Sequence, residues 1–129
     1  GFLSTLKTQI EDLKVEDKIL FTGPLYGKDK LKAYVDADVY VLPSVYETFP
    51  VAVLEACACG TPVIVTDGCG IAEIVEGKVG YVVEYDKDQL RDVIIEVLRR
   101  YSCEKNRDYL LSNIRTFFKL RGRCISCEL

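Results

Sequence analysis

The chain has 129 residues, of which 49% are hydrophobic and 29% charged, with a formal net charge of −3. That size fits one domain, or part of one, with a genuine apolar core. The charge balance excludes a broad nucleic-acid surface, since only Lys119 to Arg123 is locally basic and reads as a solvated tail. No apolar run approaches the ~20 residues of a membrane-spanning helix.

The elements follow in order. Phe2, Leu3, Leu6, Ile10 and Leu13 recur at helical spacing, with Lys7, Glu11, Asp12 and Lys14 turned away. "KILFTG" (18–23) is a short apolar run closed by glycine, which predicts a strand. "KDKLKAYVDAD" (28–38) carries Leu31, Tyr34 and Val35 on one helical face. "VYVLPS" (39–44) is apolar almost throughout and stops at Pro43, as a strand buried on both faces would. A helix is predicted from about Val51 to Cys59, stopped by Gly60 and Pro62.

"PVIVT" (62–66) is a further buried strand, "IAEIVE" (71–76) a short helix after the loop Asp67 to Gly70, and "VGYVV" (79–83) a fourth strand. Leu90, Val93, Ile94, Val97 and Leu98 line one closing helix, and Leu110, Ile114, Phe117 and Phe118 a second, within a C-terminal helix and tail at 103–129. Strands alternating with helices predict an α/β, Rossmann-like parallel sheet of about four strands covered on both faces, with residues 1–129 as one unit.

Six cysteines are many for this length, but their spacing is not that of a secreted disulfide framework. Cys57 and Cys59 fall in the predicted buried helix and Cys69 in a glycine loop. Cys124 and Cys127 form one C-x-x-C pair; no second pair and no histidine completes a zinc site, so the pair reads as tail. The N-terminus lacks a signal-peptide pattern. A glycine start and the absence of methionine suggest a processed or excised piece.

In open parallel sheets, ligands sit beyond the carboxyl ends of the strands. Here those ends are Gly23 to Gly27, Pro43–Ser44 through Phe49, and Asp67 to Gly70. With Pro50 as the first helical residue, its missing N–H would cost nothing there. The N–H groups of Val51 and Ala52 would then lie free at a positive helix end, ready for a phosphate or diphosphate. Glu55 shares the helix face of Val51 and leans back towards the same mouth.

A carboxylate at that mouth would repel a phosphate. It suits paired hydroxyls beside the phosphate, such as those of a ribose, because an ionised carboxylate only accepts. Glu47, ahead of the helix, could serve hydroxyls at the other end of a diphosphate. The plainer alternative makes Glu47 a helix-dipole partner and Glu55 a solvated surface residue. The context argues against it: "PS" at a strand end, "EA" followed by small residues and Gly60-Thr-Pro62, then a buried strand.

The run "LPSVYETFPVAVLEACACGTPVIVTDGCGIAEIVEG" resembles the donor-binding half of retaining, two-Rossmann-domain (GT-B) glycosyltransferases of group 1, which carry two glutamates separated by seven residues. "ILFTGPL", "DADVYVLPS" and "VGYVV" follow in that family's order, so the resemblance covers roughly Lys18 to Leu98. It implies that Glu55 binds the nucleotide ribose and that Glu47, in the catalytic role, contacts donor-sugar hydroxyls. Backbone N–H groups around Phe49, Pro50 and Val51 would hold the diphosphate, with Ser44 and Thr48 in the same donor-binding set. Gly23, Leu25 and Tyr26 would lie against the base. Ala56 to Cys59 would only pack the helix on the sheet.

The resemblance further implies a nucleotide-sugar donor, UDP- or GDP-linked, and a sugar or lipid-linked acceptor. It implies no metal and no other cofactor, and a cytoplasmic enzyme, peripheral at the membrane surface in its full-length form. Nothing before Lys18 matches the family's first two strands and their basic Arg/Lys pair, so the chain is expected to be truncated. The acceptor-binding domain is expected to be missing, or supplied by a complementing chain, leaving an incomplete sheet whose exposed edge invites a homo-oligomer. Without the basic pair a leaving diphosphate loses stabilisation typically worth several kcal/mol, so turnover by the chain alone is not expected. The alternatives are a non-catalytic module that binds a nucleotide-sugar or a partner, and an inert relic. A signalling receiver domain would have no use for the Glu47–Glu55 arrangement.

Overall fold

The computed structural model describes residues 1–101. The chain runs α1 (Phe2–Leu13), a 3-10 turn (Glu16–Lys18), α2 (Gly27–Asp36), β1 (Tyr40–Leu42), α3 (Val51–Ala58), β2 (Val63–Thr66), α4 (Ala72–Val75), β3 (Gly80–Val83) and α5 (Lys87–Tyr101). The second closing helix and the Cys124–Cys127 pair lie outside the described residues.

The strands form one parallel sheet in the order β1-β2-β3, with Tyr40 opposite Val63 and Val63 opposite Gly80. This is the α/β, Rossmann-like architecture expected from the alternation. β2 is buried along its whole length because it is central and covered on both faces. Its side chains alternate between two cores. Val63 and Val65 pack with Tyr34, Val53, Ala56, Cys57, Ile71 and Val75; Ile64 packs with Val83 and Val97 of α5.

Two expectations need correction. "KILFTG" forms no strand: Ile19 is extended (φ −120°, ψ 126°), yet the segment pairs with nothing, so the sheet has three strands among the described residues rather than about four. An apolar run becomes a strand only where a neighbour completes its backbone hydrogen bonds. None does here, and Leu20 stays 83% exposed. β1, expected to be buried on both faces, is only half-buried, because it forms one edge of the sheet.

α1 forms as its periodicity requires, but of its apolar face only Ile10 is buried, while Phe2, Leu3 and Leu13 are exposed. α5 starts cleanly because Asp86 Oδ1 accepts the backbone N–H groups of Asp88 (3.0 Å) and Gln89 (2.8 Å).

Candidate functional site

Two loops leave the carboxyl ends of β1 and β2 and run side by side. Thr66, the last residue of β2, fastens the first: its hydroxyl accepts the Ser44 N–H at 3.1 Å and donates to the Ser44 carbonyl. Ser44 Oγ in turn donates to the Tyr46 carbonyl at 3.0 Å. Three residues on, the Glu47 N–H donates to the Gly68 carbonyl at 3.2 Å, and the Gly70 N–H donates to the Glu47 carbonyl at 2.7 Å. Only glycine permits this approach. A Cβ at Gly68 would stand 2.0 Å from the Val45 carbonyl oxygen, and one at Gly70 2.0 Å from that of Thr48.

The backbone of Glu47 is therefore held at two points, and its side chain is half-buried. Thr48 and Phe49 follow on the surface, and Pro50 is buried. Pro50 is the N-cap of α3 (φ −75°, ψ 101°) and not its first helical residue, so the helix starts at Val51. No side chain caps this end. The Val53 N–H reaches back to the Pro50 carbonyl at 3.2 Å, which leaves Val51 and Ala52 as the open donors of the first turn.

Glu55, one turn further along α3, meets α2. Lys30 Nζ lies 3.3 Å from its Oε1 and 3.2 Å from its Oε2. Tyr34, four residues after Lys30 and so on the same face of α2, is buried against this pair. Its ring meets Tyr40 of β1 edge to face, with centroids 5.6 Å apart, and its carbonyl accepts the Thr61 hydroxyl. Burial, and after it the Glu55 carboxylate, push the Tyr34 phenol up to about 12. Burial likewise raises the Tyr40 phenol, followed by the charges of Glu55 and Glu47. The charges of both carboxylates thus act on the Tyr40 phenol.

The structure brings Ser44, Glu47, Thr48, Phe49, Pro50, Val51 and Glu55 together along one rim. Gly23 (φ 65°), half-buried Leu25 and exposed Tyr26 lead into α2 and are joined to the rim through Lys30, one turn later. The small residues behind Glu55 do pack the helix inwards: Ala56 and Cys57 are buried, and Ala58 and Cys59 are half-buried. Sequence reasoning missed Lys30 and Thr66 at the rim, and the buried Tyr34 and half-buried Tyr40 that support Glu55 from the amino end of β1. The one available signal was the spacing of Lys30 and Tyr34 on one helical face.

On the α5 side, the strand ends border a separate cavity of about 230 Å³, lined by Pro43, Thr66, Glu84, Tyr85, Asp86, Lys87 and Leu90. Its acids are engaged locally. Asp86 caps α5, and Glu84 accepts the Gln89 side-chain amide at 3.0 Å. Among the described residues no three His, Cys, Asp or Glu side chains cluster as a metal ion would need.

The chain matches the family profile described as "Glycosyl transferases group 1" over residues 2–116. It is 35% identical over 116 residues to a glycosyltransferase of Methanocaldococcus jannaschii, covering 85% of this chain and 29% of that protein. It is 30% identical over 97 residues to the alpha-monoglucosyldiacylglycerol synthase of Streptococcus pneumoniae, covering 75% and 22%. Among solved structures, sucrose-phosphate synthase from Thermosynechococcus elongatus superposes with a TM-score of 0.66 at 25% identity, over 91% of this chain and 32% of that one. The chain thus spans less than a third of each of these proteins. With a profile match across nearly its whole length and the Rossmann-like fold of a GT-B neighbour, the chain belongs to the group 1 glycosyltransferases.

Proposed function

We propose that this chain is the donor-binding domain of a retaining hexosyltransferase that uses a nucleoside-diphosphate sugar. The observation that carries the reading is the uncapped first turn of α3 with one glutamate on either side of it. The Val51 and Ala52 N–H groups and the positive helix end would hold the diphosphate and stabilise the charge it gains on leaving. Glu55 would accept the ribose hydroxyls. Glu47, its backbone fixed by Gly68 and Gly70, would accept hydroxyls of the donor sugar and so orient the carbon under attack. Ser44, Thr48, Phe49 and Pro50 would shape the intervening wall, and Gly23, Leu25 and Tyr26 would flank the base. Retention follows if the acceptor hydroxyl attacks on the face the diphosphate leaves, passing its proton to a departing phosphate oxygen.

UDP- and GDP-sugars are the favoured donors, with no further cofactor. The names of the relatives support a lipid-linked or a sugar acceptor, one being a diacylglycerol glucoside synthase and another a sucrose-phosphate synthase. On this reading the complete enzyme works in the cytoplasm, at the membrane surface where the acceptor is a lipid. No helix among the described residues is long and apolar enough to cross a membrane. The acceptor would be held by a further domain or a complementing chain. A non-catalytic, nucleotide-sugar-binding role is the second reading. It is favoured by the α3 mouth, where Glu55 is already engaged by Lys30.

The test is a thermal-shift panel of uridine, guanosine and adenosine diphosphates and their sugars, run on the natural chain and on Glu55→Ala. At a hundred times its dissociation constant a ligand stabilises by about 2.7 kcal/mol, which moves the midpoint by several degrees. A shift with one base, lost in Glu55→Ala, is the expected result. A shift that survives the substitution would remove Glu55 from the site, and no shift with any ligand would overturn donor binding by this chain. Sugar transfer by the chain alone would decide for an enzyme over the non-catalytic reading.

A further inference from the structure

We infer that Lys30 is the positioning charge that lets the α3 mouth accept a diphosphate beside two carboxylates. The inference rests on the nucleotide reading above and adds to it a residue from a different element. A diphosphate at Val51 and Ala52 would have Glu47 ahead of it in the chain and Glu55 one turn along the helix behind it. Left uncompensated, that pair would oppose the ligand's own negative charge. Lys30 sits across both oxygens of Glu55, bridging 25 residues of sequence from α2 to α3, and offsets one of the two charges.

The ammonium is delivered there by a fixed scaffold. Tyr34, one turn on, is buried, packs edge to face on Tyr40, and has its carbonyl tied to the Thr61 hydroxyl. Meanwhile the pair itself stays open to an incoming ligand, with the Lys30 and Glu55 side chains 38% and 32% exposed. A lysine ammonium has three donors. One donates to Glu55 Oε1, with Oε2 in ion-pair contact, and the ammonium keeps donor capacity for a ligand oxygen. A pair this exposed contributes little to folding, so its removal can be read in binding without loss of the fold.

The experiment compares the natural chain, Lys30→Gln and Lys30→Arg, using uridine, guanosine and adenosine diphosphates, and then the nucleoside of whichever diphosphate binds. Ligand-observed NMR titration reaches the weak affinity of the bare nucleoside. In Lys30→Gln the diphosphate is expected to bind about tenfold more weakly, the size of one partly screened charge contact. Binding of the nucleoside should change by less than about twofold, because it carries no phosphate charge. Lys30→Arg should restore most of the loss, and added salt should shrink the difference. Thermal midpoints should stay together within a few degrees. Equal diphosphate binding by Lys30→Gln would overturn the inference. So would an equal loss for diphosphate and nucleoside, since that pattern means Lys30 shapes the site without acting on phosphate charge. Failure of the natural chain to bind any diphosphate is a separate result and overturns the nucleotide reading itself.

Discussion

Tyr34 and Tyr40 join the chemistry of the rim to the stability of the core. The Tyr34 phenol is buried, with Glu55 beside it, and its ionisation is pushed from 10.0 up to about 12. The folded state therefore keeps a proton that the unfolded chain gives up. The stability this provides is complete below pH ~10 and is lost as pH rises from there towards ~12. Thermal midpoints measured from pH 9 upwards should fall more steeply for the natural chain than for Tyr34→Phe; parallel curves would show that Tyr34 is not the group responsible. The position of Tyr34 on the inner face of α2 was legible, because helical periodicity counts tyrosine as apolar. Its coupling to Glu55 was not, because periodicity is blind to the phenol. Lys30 was hidden for the converse reason: a lysine between two exposed positions reads as solvated, and its partner is 25 residues away.

At the scale of elements, the site is a joint between two loops and one helix end. Gly70 shows how tight the joint is, since a single methyl group would meet the Thr48 carbonyl oxygen at 2.0 Å. Gly70→Ala should force the loops apart, lowering stability by about 1–3 kcal/mol and weakening nucleotide binding together with it. Chemical denaturation and a binding titration on the same variant check both, and an unchanged denaturation midpoint would contradict the geometry. The two loops could be read from the sequence, because glycine, proline and hydroxyl residues punctuate the apolar runs; the expected third, Gly23 to Gly27, leaves no strand. So could the start of α3, to within one residue: Pro50 lies just outside the helix, since its ψ of 101° is extended and not helical. The Thr66 staple could not, because a threonine ending "PVIVT" looks like any other β-branched strand residue.

For the whole molecule, the fold class followed from the alternation of strands and helices, and the count of strands did not. "KILFTG" has the composition of a strand, but pairing depends on a neighbour that composition does not reveal. The result is an exposed stretch of Ile19, Leu20 and Phe21, with Phe2, Leu3 and Leu13 of α1 also uncovered. Apolar surface of this kind, together with the open edge of β1, favours association. Sedimentation velocity should show the average mass rising through the micromolar range, and Leu20→Lys should suppress the rise. A natural chain that stays monomeric at every concentration would count against this. The strand order has another consequence, for assembly. Among the described residues each strand pairs with the strand next to it in the chain, so this part of the sheet can grow in the order of synthesis. β2 can pair with β1 as it emerges and β3 can then close on β2, with no described strand inserted between two that are already paired.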